Sequence, residues 1–350
     1  MNKKLIALAV AGASLAPAAM AQTANPVTLY GRIYATFESV EAKSGTTPVP
    51  RRNRVTDQSS YLGVRGTEDL GGGLKAIFQL ETGFKVDQND TTFAARNSGV
   101  GLQGGWGTLI LGRWDTPYKT TTIAVDPFGD LTIGGITDAM SGSGVNQVQG
   151  QFDRREQNVV QYWSPKWAGV EVRLSYAANE AKTATLNPRS QGGSITWTGG
   201  PVYVGYAYHE LKDQAFGTVT PTKQTADAAF GNFTFGPIKI GALYNQIKRD
   251  GFTKQKGWLG NIVWTLGNNQ FIYQHQDAKD GGANGAATQP DCKVDAVGYQ
   301  YNFSRRTFFL AQYVKIDNNA VGTCNFGTIQ LTIAPGQDPQ GISLGLRHVF

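Results

Sequence analysis

Apolar and polar residues alternate along most of this chain. Residues 170–176 read Val-Glu-Val-Arg-Leu-Ser-Tyr, with an apolar residue at every even position, and segments 29–38 and 342–347 repeat the pattern. Segment 74–81 also alternates, with Ile77 as the exception. Because successive side chains of a strand point to opposite faces, this period of two predicts β-strands with one apolar and one polar face.

The alternation predicts sixteen strands, and an even number is typical of bacterial single-chain barrels. Fourteen or eighteen strands are the alternatives, because the pattern is weak in three of the spans, namely 155–164, 256–266 and 306–316. The sixteen predicted spans are 27–39, 58–68, 73–83, 94–104, 106–113, 155–164, 168–177, 191–199, 201–210, 225–235, 237–248, 256–266, 269–277, 293–303, 306–316 and 340–350.

Such strands fit either a soluble sandwich or a membrane barrel, and the connections between them favour the barrel. Short turns alternate with long polar segments, which is the outer-membrane pattern. The long segments are 41–57, 178–190, 211–223, 278–292 and 317–339. Aromatic residues near strand ends fit a belt at the lipid–water interface; they are Tyr162, Trp163, Trp197, Trp258 and Phe350. The fold class predicted is therefore all-β, a transmembrane antiparallel β-barrel whose polar faces line a wet lumen.

The first residues have the anatomy of a secretory signal. Lys3 and Lys4 precede an apolar stretch, and a small-residue site ends at Ala21. This predicts a signal peptide over 1–21, cleavage before Gln22, and a single barrel domain over 22–350. A membrane helix is the alternative reading, but the apolar run is too short to span a bilayer.

Composition and charge narrow the function classes. Glycine contributes 44 of 350 residues and charged residues only 17%, which fits many strands and turns. Without Lys3 and Lys4 the net charge is about +4, and no long basic block predicts a nucleic-acid partner. In a pore, this balance predicts a mild preference for anions.

Little in the sequence points to catalysis. The three histidines, His209, His275 and His348, lack a Gly-x-Ser-x-Gly elbow or metal-ligand spacing. We therefore expect neither an enzyme nor a cofactor or metal. Cys292 and Cys324 both fall on the exterior side of the predicted barrel, which predicts a disulfide, with two free thiols as the alternative.

The segment from Trp114 to about Arg154 is the longest stretch without strand-like alternation. A loop surrounded by solvent would not need Tyr118, Ile123 or Phe128, whereas one folded against the barrel wall would. We therefore predict that this third loop folds into the lumen. A disordered surface insert is the alternative.

Five segments together resemble a known family. They are Val-Thr-Leu-Tyr-Gly at 27–31, Leu-Gly-Val-Arg-Gly-Thr-Glu-Asp-Leu-Gly-Gly-Gly-Leu-Lys-Ala at 62–76, Gly-Thr-Leu-Ile-Leu-Gly-Arg at 107–113, Gln-Asn-Val-Val-Gln-Tyr-Trp-Ser-Pro at 157–165 and Gly-Leu-Arg-His-Val-Phe at 345–350. In combination they are similar to the trimeric general porins of proteobacteria, most closely the beta-proteobacterial branch.

The resemblance implies an outer-membrane channel for passive diffusion of ions and small hydrophilic solutes. It also implies a homotrimer in contact with membrane lipid and lipopolysaccharide. The terminal Phe350 is similar to the signal that the barrel-assembly machinery reads in this family.

The same resemblance implies a constriction in which wall arginines face acids on the third loop. Matching motifs places Arg96 and Arg155 at wall arginines, and puts Tyr61 where a further arginine is usual. Arg65, two positions along the same face, is the expected compensation for that missing charge. Arg32 faces the lumen because it lies on the polar side of the alternating segment 29–38.

The candidate acids of the constriction are Asp126 and Asp130 on the loop, with Asp115 at its start. Opposed charges across a narrow waist would orient dipolar solutes and sort ions by sign. The alternative is that each charge only solvates a wet lumen.

A second functional reading is a solute-specific channel on the same barrel. Tyr30, Tyr34 and Tyr61 would then form a stacking track for a sugar, or the lumen would select another small anion. The sequence leaves this alternative open.

Overall fold

The computed structural model describes residues 27–45, 47–89, 91–129, 132–135, 152–178, 180–216, 219–327 and 329–350. The signal peptide with its cleavage site at Ala21 and Gln22, and the candidate acid Asp130, lie outside these residues. Among the residues described, no helix is long and apolar enough to cross a membrane.

The fold is one antiparallel sheet that closes on itself, because the first strand segment pairs with the last. The segments are β1 Thr28–Lys43, β2 Val49–Asp57, β3 Tyr61–Gly71, β4 Leu74–Phe84, β5 Thr91–Thr92, β6 Ser98–Gly104, β7 Gly107–Asp115, β8 Arg155–Trp163, β9 Val170–Ala178, β10 Arg189–Gly199, β11 Val202–Phe216, β12 Val219–Phe235, β13 Ile238–Arg249, β14 Gln255–Leu266, β15 Asn269–Lys279, β16 Asp291–Asn302, β17 Thr307–Asn318 and β18 Asp338–Val349.

These eighteen segments make sixteen barrel strands, as the alternation predicts. Both β2 and β3 pair with β1, in succession, so they are one strand interrupted at residues 58–60. In the same way β5 and β6 both pair with β4. The prediction of sixteen strands and of a closed antiparallel barrel is confirmed.

The predicted strands are too short at their outer ends. Residues 49–57 form β2 although the sequence assigns them to a loop, and β11 and β12 extend through most of the predicted loop 211–223. Beyond the membrane both faces of a strand meet water, so alternation fades while backbone pairing continues. Period-two patterning therefore marks the lipid-embedded part of each strand and not its full length.

The apolar faces point outward, as the barrel reading requires. On β1, Leu29 and Ile33 are 61% and 43% exposed, while Thr36 and Glu38 on the other face are 2% and 0% exposed. A water-soluble sandwich would bury the first pair and expose the second. This inversion is what a barrel in a bilayer needs, because lipid solvates its outer side chains.

The third loop folds into the lumen. Its first turn is a short helix, α1 (Pro117–Thr122), capped by Thr116, whose Oγ1 accepts a bond from the Lys119 backbone N–H at 3.2 Å. A 3₁₀ turn follows over Ile123–Val125. Tyr118 and Val125 are buried against inward residues of β11 to β14, and Phe128 against those of β15 to β17. The prediction of an inward loop is confirmed.

A disulfide joins Cys292, at the outer end of β16, to Cys324 in the loop after β17, with the Cα atoms 6.2 Å apart. Both cysteines are buried in an apolar cluster with Phe326 and Leu331 from the same loop. The bridge and this cluster restrain the loops on the long-loop side of the barrel.

We expect the bridge to be present in the protein as isolated from the membrane. Thiol labelling of unreduced, denatured protein should find no reactive thiol, and labelling after reduction should find two per chain. Closing a ring of about 33 residues should stabilise the folded loops by about 3–4 kcal/mol in the chain-entropy model. Two labelled thiols without reduction would exclude the bridge.

Candidate functional site: the pore constriction

Neutral amide side chains of the barrel wall hold the third loop in place. Inward-facing Asn and Gln residues on β12, β14 and β15 donate to backbone carbonyls of the loop, so these contacts do not depend on any side chain of the loop. The bonds are Asn232 to Ala124 at 3.0 Å, Asn261 to Val125 at 2.8 Å, Gln274 to Gly134 at 3.0 Å and Gln276 to Gly135 at 3.0 Å.

Two aromatic residues of the loop complete its attachment. Tyr118 packs beside Phe152 with ring centroids 6.1 Å apart, and burial raises the pKa of the Tyr118 phenol. Phe128 lies against Gly298 on β16, where an added Cβ would collide with the Phe128 ring. Gly298 is therefore required here by the close approach of the loop.

The wall opposite the loop carries a stack of two guanidinium groups and one phenol ring. The Tyr61 ring has the Cζ of Arg32 at 5.1 Å and the Cζ of Arg96 at 4.9 Å from its centroid. Both distances fall within the range of cation–π attraction. Tyr61 therefore does not leave a gap where the resemblance expects an arginine; it holds two arginines close together.

The interruption between β2 and β3 anchors this stack. Arg32 donates to the backbone carbonyls of Gln58 at 3.2 Å and Ser59 at 2.7 Å. Arg96 donates to the Ser59 hydroxyl at 2.6 Å and forms an ion pair with Glu81. Both arginines thus converge on the same break in the strand.

Arg65 extends the positive wall, as the parity argument expects. Its Cζ lies 4.9 Å from the centroid of the Tyr30 ring, and the Tyr30 hydroxyl donates to Glu81 at 3.1 Å. Within the residues that the structure describes, the Arg65 guanidinium has no hydrogen-bond or ion-pair partner.

Arg155 and Asp115 contact each other directly at the start of the loop. Arg155 lies 3.0 Å from Asp115 and donates to Asn97 at 2.7 Å, while Lys119 lies 3.7 Å from the same carboxylate. Asp115 is therefore next to a wall arginine and not across the lumen from it.

Asp126 is on the loop side of the constriction. Its Oδ1 accepts a bond from the Phe128 backbone N–H at 3.0 Å, which closes a turn directly after the 3₁₀ helix. The neighbouring carbonyls of that helix are bound by β12 and β14. Half of the sixteen-strand circumference separates β12 from the arginine wall on β3, so Asp126 and the wall belong to opposite sides of the barrel.

Sequence reasoning missed two lumen residues, Glu81 and Trp163. Glu81 neutralises Arg96, but in the sequence nothing distinguishes it from the other polar residues of β4. Trp163 was assigned to the interfacial belt, but it pairs with the inward Arg173, whose Cζ lies 5.2 Å from the Trp163 ring. Its parity with the buried, inward-facing Gln161 is the signal that would have placed it in the lumen.

His209 is the histidine nearest to a catalytic arrangement, and its geometry does not fit one. Ser190 at 2.9 Å and Glu156 at 3.6 Å both approach the same ring nitrogen, Nε2. Across the described part of the chain, Nδ1 is buried and has no hydrogen-bond partner. A nucleophile–base–orienter relay needs partners on both nitrogens, so this is a buried polar contact beneath the loop.

Comparison with known proteins identifies the family to which the chain belongs. A family model described as "Gram-negative porin" matches residues 7–321. The chain belongs to the Gram-negative porins. It is an outer-membrane channel protein and not an enzyme.

Other porins match along their whole length. Outer membrane porin protein 32 of Delftia acidovorans is 30% identical over all of both chains, and a major outer membrane protein P.IB of Neisseria meningitidis serogroup B is 36% identical over all of both. Among solved structures, an anion-selective porin from Comamonas acidovorans aligns with a TM-score of 0.79 at 25% identity, covering 93% of this porin and 100% of that chain.

The amide contacts yield a test of how the loop is held. In the double variant Asn261→Leu, Gln274→Leu, two neutral hydrogen bonds of about 1 kcal/mol each are lost. The displaced loop should then be populated roughly thirtyfold more often. We expect higher mean single-channel conductance and more open-channel noise in planar bilayers.

Gln300→Leu is the matched control, because this inward amide on β16 bonds Asn302 and not the loop. Its conductance and noise should equal those of the wild type. Unchanged conductance and noise in the double variant would show that the amides do not position the loop.

Proposed function

We propose that this porin is a general diffusion pore with a mild preference for anions. The observation that carries the proposal is the balance of charges on the lumen wall. Most wall arginines have a carboxylate beside them; the pairs are Arg54–Glu38, Arg96–Glu81, Arg154–Glu156, Arg155–Asp115 and Arg173–Glu171. Local pairing weakens the field that each arginine exerts on a passing ion.

The residual positive charge comes from arginines without such a partner. Arg65 and Arg347 have no carboxylate within ion-pair distance among the residues described here, and each lies over an aromatic ring. This small excess of positive charge on the lumen wall supports a weak anion preference rather than a strong one. The similar porin from Comamonas acidovorans is described as anion-selective, which agrees in sign.

A solute-specific sugar track is the weaker candidate. Stacking needs open ring faces, but guanidinium groups lie over the rings of Tyr30 and Tyr61. Tyr34 is 5% exposed and packs against Phe308 with ring centroids 5.7 Å apart. These three tyrosines therefore offer little free surface to a pyranose ring.

The proposal extends to assembly. We propose that cleavage after Ala21 releases a chain beginning at Gln22, and that three copies associate in the membrane against lipid and lipopolysaccharide. Phe350 is 40% exposed although its backbone pairs with Gly31, so the ring stays accessible. That accessibility supports its recognition by the barrel-assembly machinery.

The reversal potential under a salt gradient tests the sign of selectivity. The wild type should pass chloride more readily than potassium, and Arg65→Gln should bring the permeability ratio closer to one. Lys315→Gln removes an equal charge from an exposed position of β17 beside Asp317, and should leave the ratio unchanged. A preference for potassium in the wild type would contradict the proposal.

A further inference from the structure

An alcove of about 280 Å³ opens in the lumen wall between the arginine stack and the short turns. Its inward side chains come from β3, β4, β7 and β8; the main ones are Arg65, Ile77, Gln79, Ile110, Trp114 and Trp163. The constriction does not account for this space, and none of the described residues from Thr116 to Arg154 lines it.

Two glycines give the alcove its depth. Gly99 and Gly101 face Ile110 across the β6–β7 ladder, and a Cβ at either position would press on the Ile110 side chain and on a backbone carbonyl of β7. Because the floor carries no side chains at these points, Ile110 lies flat against the wall. A concave surface forms where a porin wall would otherwise project side chains into the water.

The lining is suited to a flat apolar body. The indoles of Trp114 and Trp163 lie with ring centroids 5.6 Å apart and planes inclined by 59°. Ile77 adds aliphatic surface beside them, while Ile110, only 2% exposed, forms the base of the alcove. Aromatic rings prefer such tilted and edge-on partners, and each pair adds roughly 0.5–1.5 kcal/mol beyond area burial.

One positive charge lies at the rim, and among the described residues no carboxylate lines the alcove. Arg65 supplies the charge, and its planar fork of donors is unpaired within the described chain. Arg173, over the Trp163 ring, is neutralised by Glu171. Guanidinium groups bind carboxylates through two parallel hydrogen bonds, so the rim is suited to a monoanion.

We propose that this alcove is a binding subsite for aromatic monocarboxylates, with the ring packed against the Trp114–Trp163 pair and the carboxylate on Arg65. The proposal rests on the diffusion-pore function and adds to it a preferred solute class. A dry apolar cavity of about 150 Å³ accommodates benzene, so the alcove has room for one ring and its carboxylate.

Benzoate is the probe for this subsite. In planar bilayers held in potassium chloride, benzoate should reduce the single-channel current along a saturable curve. Acetate has the carboxylate without the ring, and benzyl alcohol has the ring without the charge. Each should need at least tenfold higher concentration for the same reduction. A reduction that never saturates, or equal reduction by acetate, would overturn the proposal.

Variants separate the subsite from general electrostatics. Arg65→Gln and Trp163→Leu should each weaken half-maximal block by benzoate about tenfold or more. Arg347→Gln removes an equal lumen charge that also lies over a ring, on the far side of β1. It should lower the anion preference but leave the benzoate block within twofold.

Equal weakening by Arg347→Gln and Arg65→Gln would show that benzoate senses only the net charge of the lumen. Heat-modified migration on gels verifies that each variant has folded. The current without benzoate and the reversal potential report on the pore itself. Absence of benzoate block in wild-type channels whose current and anion preference are as expected would therefore reject the subsite and leave the channel function intact.

Discussion

The closed hydrogen-bond ladder is the constraint on which the rest of this porin depends. Hydrocarbon offers no partner to a backbone N–H or C=O, so every strand needs a neighbour on both sides. β18 supplies the last one by pairing with β1 from Arg32↔Val349 to Lys43↔Asp338. Once the ladder is closed, the barrel interior does not have to be an apolar core. The lumen is therefore free to hold charges, water and a folded loop.

The two halves of the barrel wall carry different kinds of inward-facing side chain. From β12 to β15 the inward positions carry neutral amides that bind carbonyls of the third loop. On β1 and β3 the inward positions carry arginines and tyrosines, with Glu81 on the neighbouring strand. A loop held by amides keeps its place independently of the charges opposite, so the charges of the arginine wall can change without displacing the loop.

Pairing within the wall explains why a lumen rich in arginine supports only a mild selectivity. A guanidinium beside a carboxylate presents a dipole to a passing ion, and the dissolved salt of the lumen screens its field over about a Debye length. Tyr61 reinforces this arrangement, because its ring positions Arg32 and Arg96 while bringing no charge of its own. Arg65 lies outside these pairs, as does Arg347, and it is the residue shared by the proposed anion preference and the proposed subsite.

The sequence alone determined the barrel, and it favoured sixteen strands and an inward loop over the alternatives. Because one face of each strand meets lipid and the other meets water, apolar and polar residues alternate with a period of two in the sequence itself. Tyr118 and Phe128 are large apolar residues that are stable only when buried, so they indicate a loop packed against the barrel wall. Tertiary structure alone decided which charges meet. Asp115 lies beside Arg155 because β8 has one extra residue between Val159 and Glu156 where it pairs with β7, and Glu81 reaches Arg96 across strands. Such contacts depend on bulges and on position around the barrel, which local alternation does not encode.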